Sequence, residues 1–419
     1  RLYRACVMPT INKNNGIEMA DIAKINEQDV PSGGTGLTAN ALATTGVQLI
    51  GDAVNPYNSS VGAEFGRGPT DTTNSFTKIV CNEYVQFHAL KSDGTLWYNY
   101  PSSAPGNTYY KPSAYIADGT WRQYGSDTNW TDITGGDNQF GAIKDGDYWF
   151  LGRGSYRMRG DGSTSSVSSW TEVNSSGDWS KIQFGYRATY LINTSGHLYA
   201  CGYGYDYMLG QGNTSTISTL SREQFDLTTF ADVKPGYRCA QFLMTNGDVY
   251  FTGNNANRFA GPQLTGSGDK NGPLLMVDST SDYVCSKIGT MTYYGMCNID
   301  TDGYLRFHGY AYNSYIRPDN AVSSSDNAQD ASAGLRLDSL GTGWQDYFGW
   351  DLNGSTTRNC FAIKSGECRM GGNNAYELKL AAGLSVVNNS SWEVLRSANS
   401  TVGCIAYNDN SSGHFFIVG

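Results

Sequence analysis

The chain has 419 residues, 16% of them charged, with a formal net charge of -9 and a pI near 5.0. Such acidity, without a stripe of Lys and Arg, speaks against nucleic acid, and no apolar run of about 18 residues or charged-then-apolar start marks a membrane span or a signal peptide. The charged fraction lies well under the ~25% of ordinary soluble domains while 51 Gly and 29 Tyr stand high, which points to an uncharged polar and aromatic surface suited to life outside cells or on a particle.

Residues 1–45 read as an extended N-terminal docking arm and linker. Ile17 to Asn26 could form a short helix, but Asn and Gly on both sides limit it, and Gln28 to Gly36 has the Pro/Ser/Gly texture of a linker. Leu2, Tyr3, Ile11, Ile17, Ile22, Ile25 and Val30 are too thinly spread to build a core alone. The arm must therefore borrow its order from a partner, and Ile17, Ile22, Ile25 and Val30 are its candidate docking residues. The apolar run Val47 to Ile50 follows.

From Phe76 onward two landmarks keep step. Short strands begin at Phe76, Trp130, Trp179, Phe230, about Tyr283, Trp344 and Trp392, and each is followed by a turn glycine: Gly94, Gly146, Gly196, Gly247, Gly303, Gly366 and Gly413. The Asp-Gly, Asn-Gly and Ser-Gly pairs are tight-turn signals between strands. Between the landmarks lies a small apolar strand, such as Phe140 to Ile143, and Pro273 to Val277 exemplifies a fourth strand after the glycine. Seven units of roughly fifty residues with four short strands predict a seven-bladed β-propeller over 46–419. The last unit stops after its third strand, so a strand from 46–70, Val47 to Ile50 above all, is expected to close the ring.

Trp179 to Gly212 carries the fullest copy, with Tyr190-Leu-Ile-Asn-Thr-Ser-Gly196-His-Leu-Tyr-Ala-Cys-Gly202 followed by Leu209-Gly-Gln-Gly212. This pattern resembles the regulator-of-chromosome-condensation repeat, and the resemblance runs over about 77–419. It implies a propeller but no single function, since that family spans nucleotide exchange, enzyme inhibition and scaffolding. Separately, Ala20 to Gly34 resembles short segments in structural proteins of tailed bacteriophages that precede a displayed domain. Asp21 and Glu27 depart from that phrase, which usually has Asn and Gly there.

Chemistry-bearing constellations are sparse. His88, His197, His308 and His414 have no second ligand at metal spacing and read as packing or surface residues. Arg159-Gly160-Asp161 spells an adhesion tripeptide but reads as a turn, and the Asp161 and Asp269 loops lack the alternating carboxylates of a calcium site. Cys6, Cys81, Cys201, Cys239, Cys285, Cys297, Cys360, Cys368 and Cys404 form an odd set without C-x-x-C, so all nine are expected to be unpaired. Trp130, Trp179, Trp344 and Trp392 recur with the repeat and are predicted core. The non-repeating Tyr98, Tyr100, Tyr109, Tyr110, Tyr203, Tyr205, Tyr207, Tyr310, Tyr312 and Tyr315 follow third strands and form a candidate partner-binding rim.

The expected protein is thus a non-enzymatic structural or attachment protein of a bacteriophage virion, assembled in the host cytoplasm and oligomeric in the particle, with no cofactor. Its expected partners are other virion proteins through the arm and a host-surface glycan or protein at the propeller, with no nucleic acid. A free protein-binding propeller, acting as inhibitor or exchange factor, and a glycan-active enzyme with scattered carboxylates across the channel are the alternatives.

Overall fold

The computed structural model describes residues 47–50, 76–82, 86–100, 115, 121–136, 138–223, 227–236, 238–255, 268–290, 295–309, 334–351, 358–364, 367–372, 393–396, 402–406 and 414–418. Residues 1–45, with Ile17, Ile22, Ile25 and Val30, lie outside them.

The described chain is all β, in seven antiparallel sheets. The first sheet runs Phe76–Cys81, Phe87–Lys91, Leu96–Asn99, Arg122–Gln123, and the second Trp130–Gly135, Gln139–Lys144, Asp147–Gly152, Val167–Asn174. The third is Trp179–Gly185, Ala188–Asn193, Leu198–Gly202, Ile217–Arg222, and the fourth Phe230–Pro235, Cys239–Met244, Val249–Gly253, Lys270–Val277. The fifth is Cys285–Lys287, Gly295–Asp300, Leu305–Gly309, Leu335–Arg336, and the sixth Trp344–Asp351, Arg358–Lys364, Glu367–Gly372, Glu393–Arg396. The seventh has three strands, Val402–Ala406, His414–Val418 and Val47–Ile50, the last antiparallel to His414–Val418 with Val47 opposite Val418. Val402–Ala406 touches both Trp344–Asp351 and Phe76–Cys81, so the sheets close into a ring.

One assignment from the sequence needs correction. The segment led by Trp392 does not open the seventh sheet. Glu393–Arg396 instead pairs with Glu367–Gly372, Met370 opposite Glu393, as the outer strand of the sixth sheet. Among the described residues nothing else covers that edge, and a sheet edge left open is what pairing removes. Val402–Ala406 therefore takes the inner position of the seventh sheet.

The two sequence landmarks prove to be bonded to each other. The backbone N–H opening each of the second to sixth sheets donates to the turn glycine of the sheet before it: Trp130 to Gly94 O at 3.1 Å, Trp179 to Gly146 O at 2.9 Å, Phe230 to Gly196 O at 2.9 Å, Cys285 to Gly247 O at 3.0 Å and Trp344 to Gly303 O at 3.1 Å. At Gly146 the backbone sits at φ +81 and a Cβ would lie 2.4 Å from the Gly177 carbonyl oxygen, so both conformation and space demand glycine.

Apolar side chains fill the walls between sheets. Leu90 and Leu96 of the first sheet pack with Trp130, Ile133 and Phe140 of the second, and Ile143, Tyr148 and Phe150 of the second with Trp179, Ile182 and Leu191 of the third. Trp130, Trp179 and Trp344 are all buried. Cys201, Cys239, Cys285 and Cys297 are buried and form no disulfide, and burial pushes the Cys201, Cys239 and Cys285 thiols up to about 12.

Each of the first six inner strands carries a β-bulge just before a charged residue, and these residues alternate in sign: Lys78, Asp132, Lys181, Asp232, Lys287, Asp346. Lys78 pairs with Asp132 at 2.7 Å, Lys181 with Asp232 at 3.8 Å, and Lys287 with Asp346. Asp132 also accepts the backbone N–H of Ile182 in the next sheet at 2.9 Å, satisfying a donor on an otherwise open inner edge. Lys234 adds a second cation 3.6 Å from Asp232 and also feels the carboxylates of Asp346 and Asp132.

These charges set a pH dependence. Burial raises the Asp232 carboxyl, but Lys234 and Lys181 outweigh it and hold it below its ordinary value. A carboxyl lowered by folding stabilises fully above its unfolded pKa of about 3.9, and the contribution is lost as pH falls through the lower folded value. Lys234 has the opposite sense: burial lowers it, the three carboxylates more than reverse this, and its contribution fades only as pH rises through a folded value above about 10.4. Asp232→Asn is therefore expected to melt lower than wild type at pH 7 and to lose less on acidification. Melting curves between pH 3 and pH 7 check this, and parallel acid slopes for the two proteins would refute it.

Candidate functional site

One end of the ring carries the turns from first to second strand and from third to fourth; the glycine turns lie at the other end. Over the second, third and fourth sheets the first of these ends becomes a Tyr/Arg surface. Gly185 pairs with Ala188, so the hairpin between them consists of Tyr186 and Arg187 alone, with Arg187 at φ 59. The turns leaving the third strands of the second and third sheets are 3-10 turns, Ser155–Arg157 and Tyr205–Tyr207. They place Tyr156, Arg157, Asp206 and Tyr207 at φ 60, 64, 51 and 63, a left-handed conformation that costs non-glycine residues of order 1 kcal/mol or more each.

Buried hydroxyls hold these turns in place. Tyr148 Oη donates to Met158 O at 3.3 Å and Thr189 Oγ1 to the same oxygen at 2.6 Å, while Tyr190 Oη donates to Met208 O at 2.6 Å and Thr252 Oγ1 to Tyr207 O at 2.8 Å. In both turns one clamp comes from the turn's own sheet and one from the next, so the rim is fixed by the ring's packing.

Rings and guanidinium groups then stack across the sheets. The Arg187 guanidinium lies 4.1 Å from the Tyr156 ring and 4.6 Å from the Tyr186 ring, with Arg153 5.7 Å from Tyr156. Tyr203 meets Tyr156 edge-on at 6.1 Å and Tyr205 at 4.3 Å, and Arg238 lies 5.5 Å from Tyr205 while pairing with Asp206 at 3.3 Å. The Tyr205 hydroxyl, hydrogen-bonded to Tyr203, holds the Tyr203 phenol above its ordinary range. Tyr205 is 43% exposed, more than any other large apolar or aromatic side chain among the described residues.

Of the tyrosines singled out in the sequence, Tyr203, Tyr205 and Tyr207 sit on this surface. Tyr98 and Tyr100 do not reach solvent, which corrects their assignment as rim anchors. Tyr98 stacks on Tyr115 at 4.0 Å, Tyr100 packs against Tyr115 at 4.9 Å, and Tyr100 and Tyr115 close over the buried His88. Burial drives His88 down to about 3, and His308, bonded to Tyr283 Oη at 2.8 Å, likewise to about 3, so both are neutral packing residues. Tyr109, Tyr110, Tyr310, Tyr312 and Tyr315 lie outside the described residues. Arg159 and Asp161 pair with each other at 2.5 Å, so that tripeptide is engaged within its own turn.

Sequence reasoning missed Tyr156, Tyr186, Arg153, Arg187 and Arg238. The signal was present: Gly-Tyr-Arg occurs at 185–187 and again at 236–238, at corresponding hairpins of consecutive sheets. Among the described residues no group of three His, Cys, Asp or Glu could hold a metal, and no helix is long and apolar enough to cross a membrane.

No protein-family profile matches the chain, and no curated protein does. Solved structures do. Human WBSCR16 is similar over 90% of this chain and 98% of its own, at TM-score 0.63 and 15% identity. Prp20p from Saccharomyces cerevisiae, characterised with its binding to Gsp1p and histones, aligns over 90% of this chain and 92% of its own, at TM-score 0.63 and 12% identity. Yeast RCC1 (Prp20) bound to Kap60 aligns over 100% and 96%, at TM-score 0.64 and 12% identity. At these identities the likeness defines the fold: an all-β propeller of the regulator-of-chromosome-condensation (RCC1) kind.

Proposed function

We propose that the chain works by binding, presenting the Tyr/Arg rim to a protein partner, and that its N-terminal arm docks the propeller on a bacteriophage particle. The observation that carries the binding role is the rim itself: four strained non-glycine residues in two clamped turns, holding a half-buried aromatic cluster, with Tyr205 exposed, already ordered. Strain of this sort persists only where surrounding structure enforces it, and pre-ordering lowers the entropy cost of association. Exposed Tyr beside Arg is the composition that dominates binding energy at protein interfaces. The particle setting rests on the arm's sequence, on its resemblance to phage structural segments and on apolar residues too sparse to order themselves.

The test is made in the assembled phage. Deleting residues 1–36 is expected to abolish incorporation while the truncated chain keeps its wild-type melting transition; Tyr205→Asp is expected to leave incorporation intact and reduce attachment to the host. Normal incorporation of the truncated chain would move the protein to the class of free binding propellers. Turnover of a host glycan by the purified chain would replace the binding role with an enzymatic one.

A further inference from the structure

Among the described residues, the rim contains one cation that donates no side-chain hydrogen bond. Arg157 donates Nη1 to Gly162 O at 2.7 Å, Arg238 pairs with Asp206, and Arg153 ties its Nε to Ser155 Oγ at 2.8 Å. Arg187 meets only rings: its guanidinium lies between Tyr156 and Tyr186, and among the described residues none of its five N–H groups reaches an acceptor. The group is thus oriented by stacking, on a residue that remains partly exposed. It stands at the tip of a two-residue hairpin in a conformation that Asn or Gly would adopt more cheaply, so nothing in the local backbone explains why arginine is there.

We propose that Arg187, clamped by Tyr156 and Tyr186 and supported by Arg153, is an anchor for the carboxylate of an acidic peptide segment of a protein partner. A planar guanidinium fixed before binding matches a carboxylate through two parallel N–H donors, the strong form of this pairing. Arg153 and Arg187 approach the same Tyr156 ring, which concentrates positive charge on a chain whose net charge is -9. Tyr205 supplies exposed aromatic surface on the same rim, suited to an apolar residue neighbouring the acidic one. A glycan acid fits less well, because guanidinium groups occupy the Tyr156 ring that a pyranose would need for stacking. The proposal rests on the rim being the binding surface.

The test uses the full chain and a fluorescein-labelled ten-residue polyglutamate peptide, with a polyglutamine peptide and an oligogalacturonate of equal charge as comparisons, read by fluorescence anisotropy. Polyglutamate is expected to bind, more weakly as salt rises, and polyglutamine not to bind. Arg187→Asn, which suits the left-handed turn, is expected to weaken binding about tenfold or more, and Arg187→Lys several-fold because the planar fork is lost. Arg222→Asn, at the far end of the third sheet's outer strand, should change it less than about twofold. Unchanged binding by Arg187→Asn, no binding of polyglutamate, or Arg187-dependent preference for oligogalacturonate would each overturn the proposal. If polyglutamate fails to bind while Tyr205→Asp still reduces host attachment, the anchor falls and the rim's binding role stands.

Discussion

Gly146→Ala is expected to cost about 3 kcal/mol or more. Two penalties coincide. Alanine at φ +81 pays for a left-handed backbone, and its Cβ would stand 2.4 Å from the Gly177 carbonyl oxygen and 2.6 Å from its carbon. Moving either segment breaks the bond from Trp179 N–H to Gly146 O, which starts the next sheet. Chemical denaturation measures the loss. Gly177→Ala is the useful comparison, since that glycine also has positive φ, at 73, but open space around its Cβ position. Equal losses at 146 and 177 would show that conformation alone, and not close approach, makes the turn need glycine.

Asp132→Ala is expected to cost about 2–4 kcal/mol. The carboxylate accepts Ile182 N–H at 2.9 Å and its own neighbour's Ile133 N–H at 2.9 Å, and it pairs with Lys78 at 2.7 Å. Lys78 is 34% exposed, so solvent screening reduces the ion pair to a minor share. Most of the cost comes from two backbone donors left without an acceptor, Ile133 N–H on the inner strand of the second sheet and Ile182 N–H on that of the third. Asp132→Asn keeps an acceptor oxygen and should recover more than half of the loss in the same denaturation experiment. If Lys78→Met proves as damaging as Asp132→Ala, the ion pair and not the edge donors is the main term.

The repeat was legible because its determinants are local. Turn glycines and the aromatic residues that open strands act within a few positions, so their spacing showed the units before any contact was known. What remained hidden depends on distant parts of the chain. Tyr98 and Tyr100 look like exposed loop aromatics until Tyr115 folds over them, and Glu393–Arg396 has strand character that fits either of two neighbouring sheets. Its place is decided by which edge is open. The rim was misjudged for the same reason. Its strongest member, Arg187, is defined by Tyr156 from the preceding sheet, and the repeated Gly-Tyr-Arg gives only the hairpin, not the ring that covers it.

The alternation of Lys and Asp on the inner strands carries a constraint of parity. A pattern of two opposite signs returns to its start without conflict only after an even number of steps, and the ring has seven sheets. The inner strand of the seventh, Val402–Ala406, contains no charged residue, so the sequence of signs is interrupted at the place where the first and last strands of the ring meet. Removing any of the four units from Asp132 to Lys287, or duplicating any charged unit, would set two lysines or two aspartates side by side. Removing or adding a Lys unit together with its Asp neighbour would not. Growth of this ring is therefore tolerated by Lys–Asp pairs or by repeating the uncharged unit, and loss of a single unit only at the uncharged one or at its two neighbours, the Lys78 and Asp346 units.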